Sequence, residues 1–499
     1  MKTRRSGVSR RELMKAALTA EAAAIAGCNS HPQKAGNAHR IELENQQPGT
    51  SEWMLTRTRI DPKTKYRCPW IEGYCSHTSI RAGEQLSIFV STNPPAPFTL
   101  EIYRMGYYQG LGAKRVMRLP VMQGRTQPDP EVGDRRLRNC QWEASITLPI
   151  PRKWRSGVYV GKLTEQNDGI QSYIIFIVRD DRKADLIFQC SDTTWQAYNR
   201  WPSQFSLYDD GKSVWYWGPG VDVSFNRPYG KYCQILDAPL STGSGEFFLW
   251  EFPLCFWLEQ QGYDVTYISN LDTHNDPKNL LRAKAILSVG HDEYYSMEMF
   301  NNMKAAIAAG VNVAFLSGNT CCGRIEFSPG TRSFTRADRF GPRDPEEIKA
   351  FPAMALLPWQ SPNENTLIGA RSTGPITGGA DWVCTLPEHW IYEGTGMKKG
   401  EGIPGLIGWE WHGDPAAIPG LEIIASAQTK SGNKIQGTYT ATIYPGPKEN
   451  IVFNASSCWF ADGLSAPPGY LHPTAYTTPK GPDPRAQRLT SNLLRRMLA

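Results

Sequence analysis

Leu287 to Phe300 read LSVGHDEYYSMEMF: an apolar run stops at a glycine, and His291, Asp292 and Glu293 follow in a row. An imidazole and two carboxylates on such a lip can hold a metal or move a proton. In an extended loop His291 and Glu293 point to opposite sides, so a kink is required if both are to serve one centre. The plainer alternative is a buried, hydrogen-bonded histidine beside carboxylates that favour the start of the next helix. Several other chemistries lack their residues. A nucleophile elbow needs Ser or Cys at the strand–helix turn, and this turn has neither. GPG, STGSGE and STGPITGG lack the strand–turn–helix setting of a dinucleotide site, and no P-loop occurs. Cys321 and Cys322, after the next strand, stand as a rival thiol pair.

The surrounding elements must position that lip. ADLIFQC, YDVTYIS, KAILSVG and VNVAFLSG read as buried strands. Between them FFLWEFPLCFWLEQQG, DPKNLLRA and SMEMFNNMKAAIAAG read as helices, the first and last closed by Gly262 and Gly310. Strands alternating with helices imply a parallel sheet, which binds ligands beyond the carboxyl ends of its strands. LIFQC runs into SDTTWQAYN, AILSVG into HDEYY, and VAFLSG into NTCCGR. If these strands are neighbours, Tyr198, His291, Asp292, Glu293 and Asn319 share one rim. Residues 51–180 differ: short alternating runs between Pro and Gly breakers predict a β-sandwich. The predicted organisation is therefore multidomain, a β-sandwich over 51–180 followed by an α/β domain over 181–499. Late in that domain LEIIASAQ, IQGTYTATIY and NIVFNASS read as strands and DPRAQRLTSNLLRRML as a terminal helix.

The net charge of +6 does not signal an anionic partner. Residues 1–27 hold six basic and two acidic residues, a net of +4, which leaves +2 for the rest. No basic stripe occurs, so a nucleic-acid partner is not expected. SRRELMK followed by AALTAEAAAIAG reads as a twin-arginine export signal over 1–28. IAGC is also a lipoprotein cleavage box, with Cys28 either a lipid anchor or incidental to a plain cleavable signal. The expected location is periplasmic or membrane-anchored, and residues 29–50 read as a polar tether. No run of 18 apolar residues marks a membrane span. The 11 cysteines are irregularly spaced, which argues against a zinc ribbon. Cys68, Cys75 and Cys140 are candidates for a bridge, and Cys190 and Cys255 for buried apolar residues.

SDTTWQAYNRWPSQFSLYDD, VDVSFNRPYGKYCQI, GYDVTYISNLDTH, LSVGHDEYYS and VAFLSGNT, in this order, resemble the large (beta) subunit family of N,N-dimethylformamidase. The resemblance covers about residues 65–465. It implies a β-sandwich followed by a class I glutamine amidotransferase-like, flavodoxin-like domain without that fold's nucleophilic Cys. It further implies a mononuclear ferric site held by two tyrosines and a glutamate, for hydrolysis of an amide C–N bond. Glu293 matches the carboxylate ligand, and Tyr198 and Tyr229 best match the tyrosines, with Tyr208, Tyr216 and Tyr232 close by. His291 and Asn319, with Glu410 of GWEWHG, match residues that flank the metal. Asp292 is left as a favourable charge at the next helix start. The implied partner is a small-molecule amide, and a homo-oligomer is an open expectation. The export signal departs from the cytoplasmic character of the family and argues against dimethylformamide as the substrate. A non-catalytic or glycan-binding surface lipoprotein is the rival reading, supported by the candidate anchor and the 16 Trp.

Overall fold

Alternating apolar residues between Glu72 and Arg179 build two sheets. In the computed structural model, which describes residues 39–231, 238–373, 379–471 and 481–499, Glu72–Cys75, Gln85–Ser91 and Ile146–Pro149 form an antiparallel sheet. A six-stranded sheet joins Ser79–Arg81, Gln171–Arg179, Gly157–Glu165, Pro97–Met105 and Ala113–Arg118, with Met122–Gln123 paired to Pro97–Met105. The two-residue period of a strand sorts its side chains. Ile174, Phe176 and Val178 join Ile88, Val90 and Leu100 in the core between the sheets. Tyr173, Ile175 and Ile177, on the opposite face, pack with Leu186, Phe188, Phe252 and Trp257 of the following elements. The six-stranded sheet is thus covered on both faces, and His39–Ala499 forms one compact unit.

The export signal, Cys28 and the first part of the tether lie outside the described residues. Within the rest of the expected tether, His39–Asn45 is a helix rather than a free segment. Ile41 is buried, and the Asn45 side chain donates to Glu259 at 3.0 Å and accepts from the Tyr107 and Tyr108 N–H groups. Glu259 also forms a fully buried ion pair with Arg104 at 2.7 Å, so this corner joins the sandwich to helix Phe252–Gln260.

Five strands run parallel: Ala184–Cys190, Val265–Ser269, Ala283–Gly290, Asn312–Ser317 and Ile451–Asn454. Numbered along the chain, they lie in the order 2-1-3-4-5, that of a doubly wound sheet. Their near-continuous apolar sequences follow from burial on both faces; in Ala283–Gly290 only Lys284 is exposed. The expected α/β sheet is present but not purely parallel. Lys434–Pro445, Glu422–Ser431, Gly379–Val383 and Gly402–Gly408 extend it antiparallel beyond Ile451–Asn454. Helix Met297–Ala309 is capped by Ser296, whose hydroxyl accepts from the Met299 N–H, and Gly310 closes it at φ 99°. The terminal helix is Pro484–Leu498. Among the described residues no helix is long and apolar enough to cross a membrane. The nine described cysteines are buried free thiols, so Cys68, Cys75 and Cys140 form no bridge.

Candidate active site

The order 2-1-3-4-5 puts its switch point between Ala184–Cys190 and Ala283–Gly290, where the crossovers diverge and a cleft opens at the carboxyl ends. The first strand feeds helix Asp192–Tyr198, and the second feeds His291 to Glu293. Gly290 makes the turn at φ 70°, and a Cβ there would fall 2.5 Å from Trp250 Cβ. Only glycine suits that conformation and approach. The turn removes the opposite-sided arrangement of an extended loop: His291 Nε2 lies 3.3 Å from Glu293 Oε2.

Phenols complete the cluster. Tyr198 Oη donates to Glu293 Oε2 at 2.7 Å. Tyr208 Oη lies 2.7 Å from Tyr198 Oη and 3.1 Å from both Glu293 oxygens. Tyr294 Oη donates to Tyr208 Oη at 2.7 Å, and Arg336 donates to Tyr294 Oη at 2.6 Å. The Arg336 guanidinium also lies over the Tyr208 ring, 4.9 Å from its centroid. All of these groups are buried. Burial, and then the Glu293 charge, push the Tyr198 and Tyr208 hydroxyls well above the ordinary phenol range.

His291 sits among three carboxylates. Its Nε2 is 2.5 Å from Glu410 Oε2, and its Nδ1 is 3.6 Å from Glu246 Oε2. Burial disfavours the imidazolium, but Glu410 above all, with Glu246 and Glu293, outweighs this and raises its pKa well above the usual histidine value. Burial raises Glu410 and Glu246, whereas for Glu293 the hydrogen bond and charge of His291 overcome burial and lower it. Asn319, at φ 51°, lies against Glu410 with its Oδ1 lacking a hydrogen-bond partner. A Cβ on Gly318 would meet the Glu410 carbonyl at 2.2 Å and the Cys458 nitrogen at 2.6 Å. The glycine therefore lets Glu410 and Cys458 close over the strand end. The ligand atoms of His291, Glu410 and Cys458 lie within 4.8 Å of one another.

Strand-end reasoning thus collects Tyr198, His291, Glu293 and Asn319 at one place. It does not collect Tyr229, whose hydroxyl has no hydrogen-bond partner and which feels the charges of Asp192, Arg332 and Arg227 rather than that of Glu293. Of the other neighbouring tyrosines, Tyr208 enters the cluster, Tyr216 donates to the Pro219 carbonyl, and Tyr232 lies outside the described residues. Asp292 is not a helix-start charge, because Ser296 caps that helix. It is buried and accepts from Gln189, Ser288, Tyr295 and Asn270 at 2.7–3.0 Å, a brace beneath the rim. Cys321 and Cys322 are buried, and burial raises both thiols well above the ordinary value, which suppresses the nucleophilic thiolate.

A family model described as N,N-dimethylformamidase beta subunit-like, C-terminal, matches residues 99–475, most of the chain and all of this cluster. The chain belongs to this family. No curated protein matches it. The family's name is that of a formamidase-like hydrolase, which supports an enzyme of that broad kind. Cys458, Glu246, Tyr294 and Arg336 escaped the sequence reading. Cys458 follows strand Ile451–Asn454, so the strand-end rule applied once more would have reached it. Glu246 lies in a glycine-rich turn, and nothing local marks it.

The donors suit a hard trivalent ion. Two phenols and a carboxylate converge within 2.7–3.1 Å, all three are oxygen ligands, and their combined charge when deprotonated is −3. Phenols held this far above their ordinary pKa lose their protons only to a strong Lewis acid. Tyr198 and Glu246 also face a cavity of about 150 Å³, lined besides by Trp195, Trp215, Tyr229 and Arg200. The cluster therefore has a route for a small ligand.

Proposed function

We propose that this protein hydrolyses the C–N bond of a small-molecule amide at a ferric centre held by Tyr198, Tyr208 and Glu293. The observation that carries the reading is the convergence of two phenol oxygens on one buried carboxylate at the switch point of the sheet. The resemblance alone pointed to Tyr229 as the second tyrosine; the distances favour Tyr208. When bound, Fe(III) would supply Lewis acidity to polarise a carbonyl or a water.

The chain's own residues supply the rest. His291 keeps Glu293 anionic and oriented. Glu410 beside the His291 imidazolium, with Nε2 and Oε2 2.5 Å apart and neither atom in a hydrogen bond, can take a proton from the attacking water and return one to the departing amine. The Asn319 side-chain NH2, which faces Glu410, has a second N–H to donate to the substrate oxygen, and its unpartnered Oδ1 can accept from the attacking water. Burial excludes bulk water from the exchange. The 2-1-3-4-5 order fits a glutamine amidotransferase-like origin for the sheet, and the twin-arginine run fits export of a folded, metal-loaded protein. Protein purified aerobically with iron supplied is expected to carry stoichiometric iron, absorb visible light by tyrosinate-to-iron charge transfer, and cleave amides. Colourless, iron-free protein would sink the reading.

One observation favours a second reading. His291, Glu410 and Cys458 form a nitrogen, oxygen and sulfur set suited to a borderline divalent ion such as zinc. Burial raises the Cys458 thiol as it raises the phenols, so it too would lose its proton only to a bound metal. Cys458→Ser separates the two readings. On the ferric reading the variant keeps its iron and colour; on the zinc reading it loses its metal. Elemental analysis of parent and variant decides.

A further inference from the structure

Arg200 is a cation in the wall of the cavity. Its guanidinium lies 5.0 Å from the Trp215 ring and 5.7 Å from the Tyr66 ring. Nη2 donates to the Val214 carbonyl at 2.8 Å and Nη1 to Tyr66 Oη at 3.2 Å. The nearest carboxylate, Asp209, is 4.0 Å from Nε, too far for a hydrogen bond. Three of the five N–H donors of the fork therefore make no hydrogen bond, while the bonds to Val214 and Tyr66 hold the head group in place. Trp215, beside it, is 43% exposed, whereas Tyr198 and Glu246 are 9% and 1% exposed. Arg200 thus stands at the outer end of the cavity and the reactive cluster at the inner end.

We infer that the amide taken by this site carries a carboxylate, which Arg200 binds at the mouth while the amide reaches Tyr198. The inference rests on the reading that the Tyr198–Glu293 cluster is the reactive centre. A planar fork held by two hydrogen bonds beside two aromatic rings matches a carboxylate in a two-pronged way and loses little freedom on binding. Glu246, at the far end, brings no cation to meet the same group, so the substrate enters with its amide leading. A second cation, Lys231, lines the cavity as well. The volume of about 150 Å³ lies well below that of sites for drug-sized molecules, so the substrate is small, of the size of an N-acylated amino acid.

N-formylglycine and its neutral isostere N-formylglycinamide are suitable probes, with binding measured by calorimetry on the metal-loaded full chain. The carboxylate is expected to bind about tenfold tighter or better, as a charge-assisted pair predicts. Arg200→Gln should bring the ratio of affinities to near one. Arg200→Lys, which keeps the charge and the stem, should retain part of it and controls for misfolding. A parent ratio near one, or a ratio that survives Arg200→Gln, overturns the inference. Turnover of both probes with equal kcat/KM overturns it and leaves the amidase reading standing. A binding preference without turnover supports the carboxylate site and counts against the amidase reading. Failure of both probes to bind overturns the inference.

Discussion

Glu293→Gln is expected to release the metal and lower kcat/KM by about 10³-fold or more. The substitution keeps the shape of the side chain and removes one of the three negative charges that converge there. A Lewis-acid contribution of several kcal/mol corresponds to roughly three powers of ten at 1.36 kcal/mol each. The fold should survive, because the imidazolium of His291 keeps Glu410 at 2.5 Å and Glu246 at 3.6 Å. Gln also still accepts the hydrogen bond from Tyr198. The checks are iron content, the visible spectrum and the thermal midpoint, measured on the same sample. Loss of iron with a near-parental midpoint is the expected result. Full iron occupancy with parental colour would refute Glu293 as a ligand.

His291 should respond differently. It touches Glu293 through an ion pair and does not stand among the three convergent oxygens. Its loss should lower kcat more than iron content, since it holds a proton and orients a ligand. The two variants thus separate binding of the metal from use of the proton.

The sequence disclosed as much of this site as local grammar can carry. Apolar strands ending in glycine, followed by polar residues, located His291, Glu293 and Asn319, because strand ends in a doubly wound sheet share a rim. The same grammar marked the short strands between Glu72 and Arg179, since their period of two is written in the residues that face each core. Asp292 was misjudged because its role depends on Gln189, Asn270 and Tyr295, which three separate elements bring together. Glu246 had no local mark, for it meets His291 only through the packing of Trp250 behind Gly290. The antiparallel extension was legible strand by strand but not as part of the same sheet. Strand pairing across the long excursion from Ser317 to Ile451 is a tertiary fact.

The tyrosines give the second large effect. Tyr208→Phe is expected to remove most of the charge-transfer absorption and to lower kcat/KM by about 10²–10³-fold, on the same Lewis-acid scale. The variant deletes a donor 3.1 Å from both Glu293 oxygens and cuts the path from Arg336 through Tyr294. Tyr229→Phe should keep iron and colour, because that hydroxyl meets no member of the cluster, and should act on KM through the cavity wall. The opposite outcome, colour lost in Tyr229→Phe and kept in Tyr208→Phe, would restore Tyr229 as the ligand and overturn the assignment of Tyr208. Tyr294→Phe guards against a merely structural account. It leaves the Tyr208 hydroxyl in place and removes the hydrogen bond donated to it, so iron should stay bound while the absorption band moves. A phenolate that loses a donor holds its charge more on oxygen, and the energy of its transition to the metal reports that change directly. An unmoved band in Tyr294→Phe would mean that Tyr208 is packed beside the site rather than bound in it.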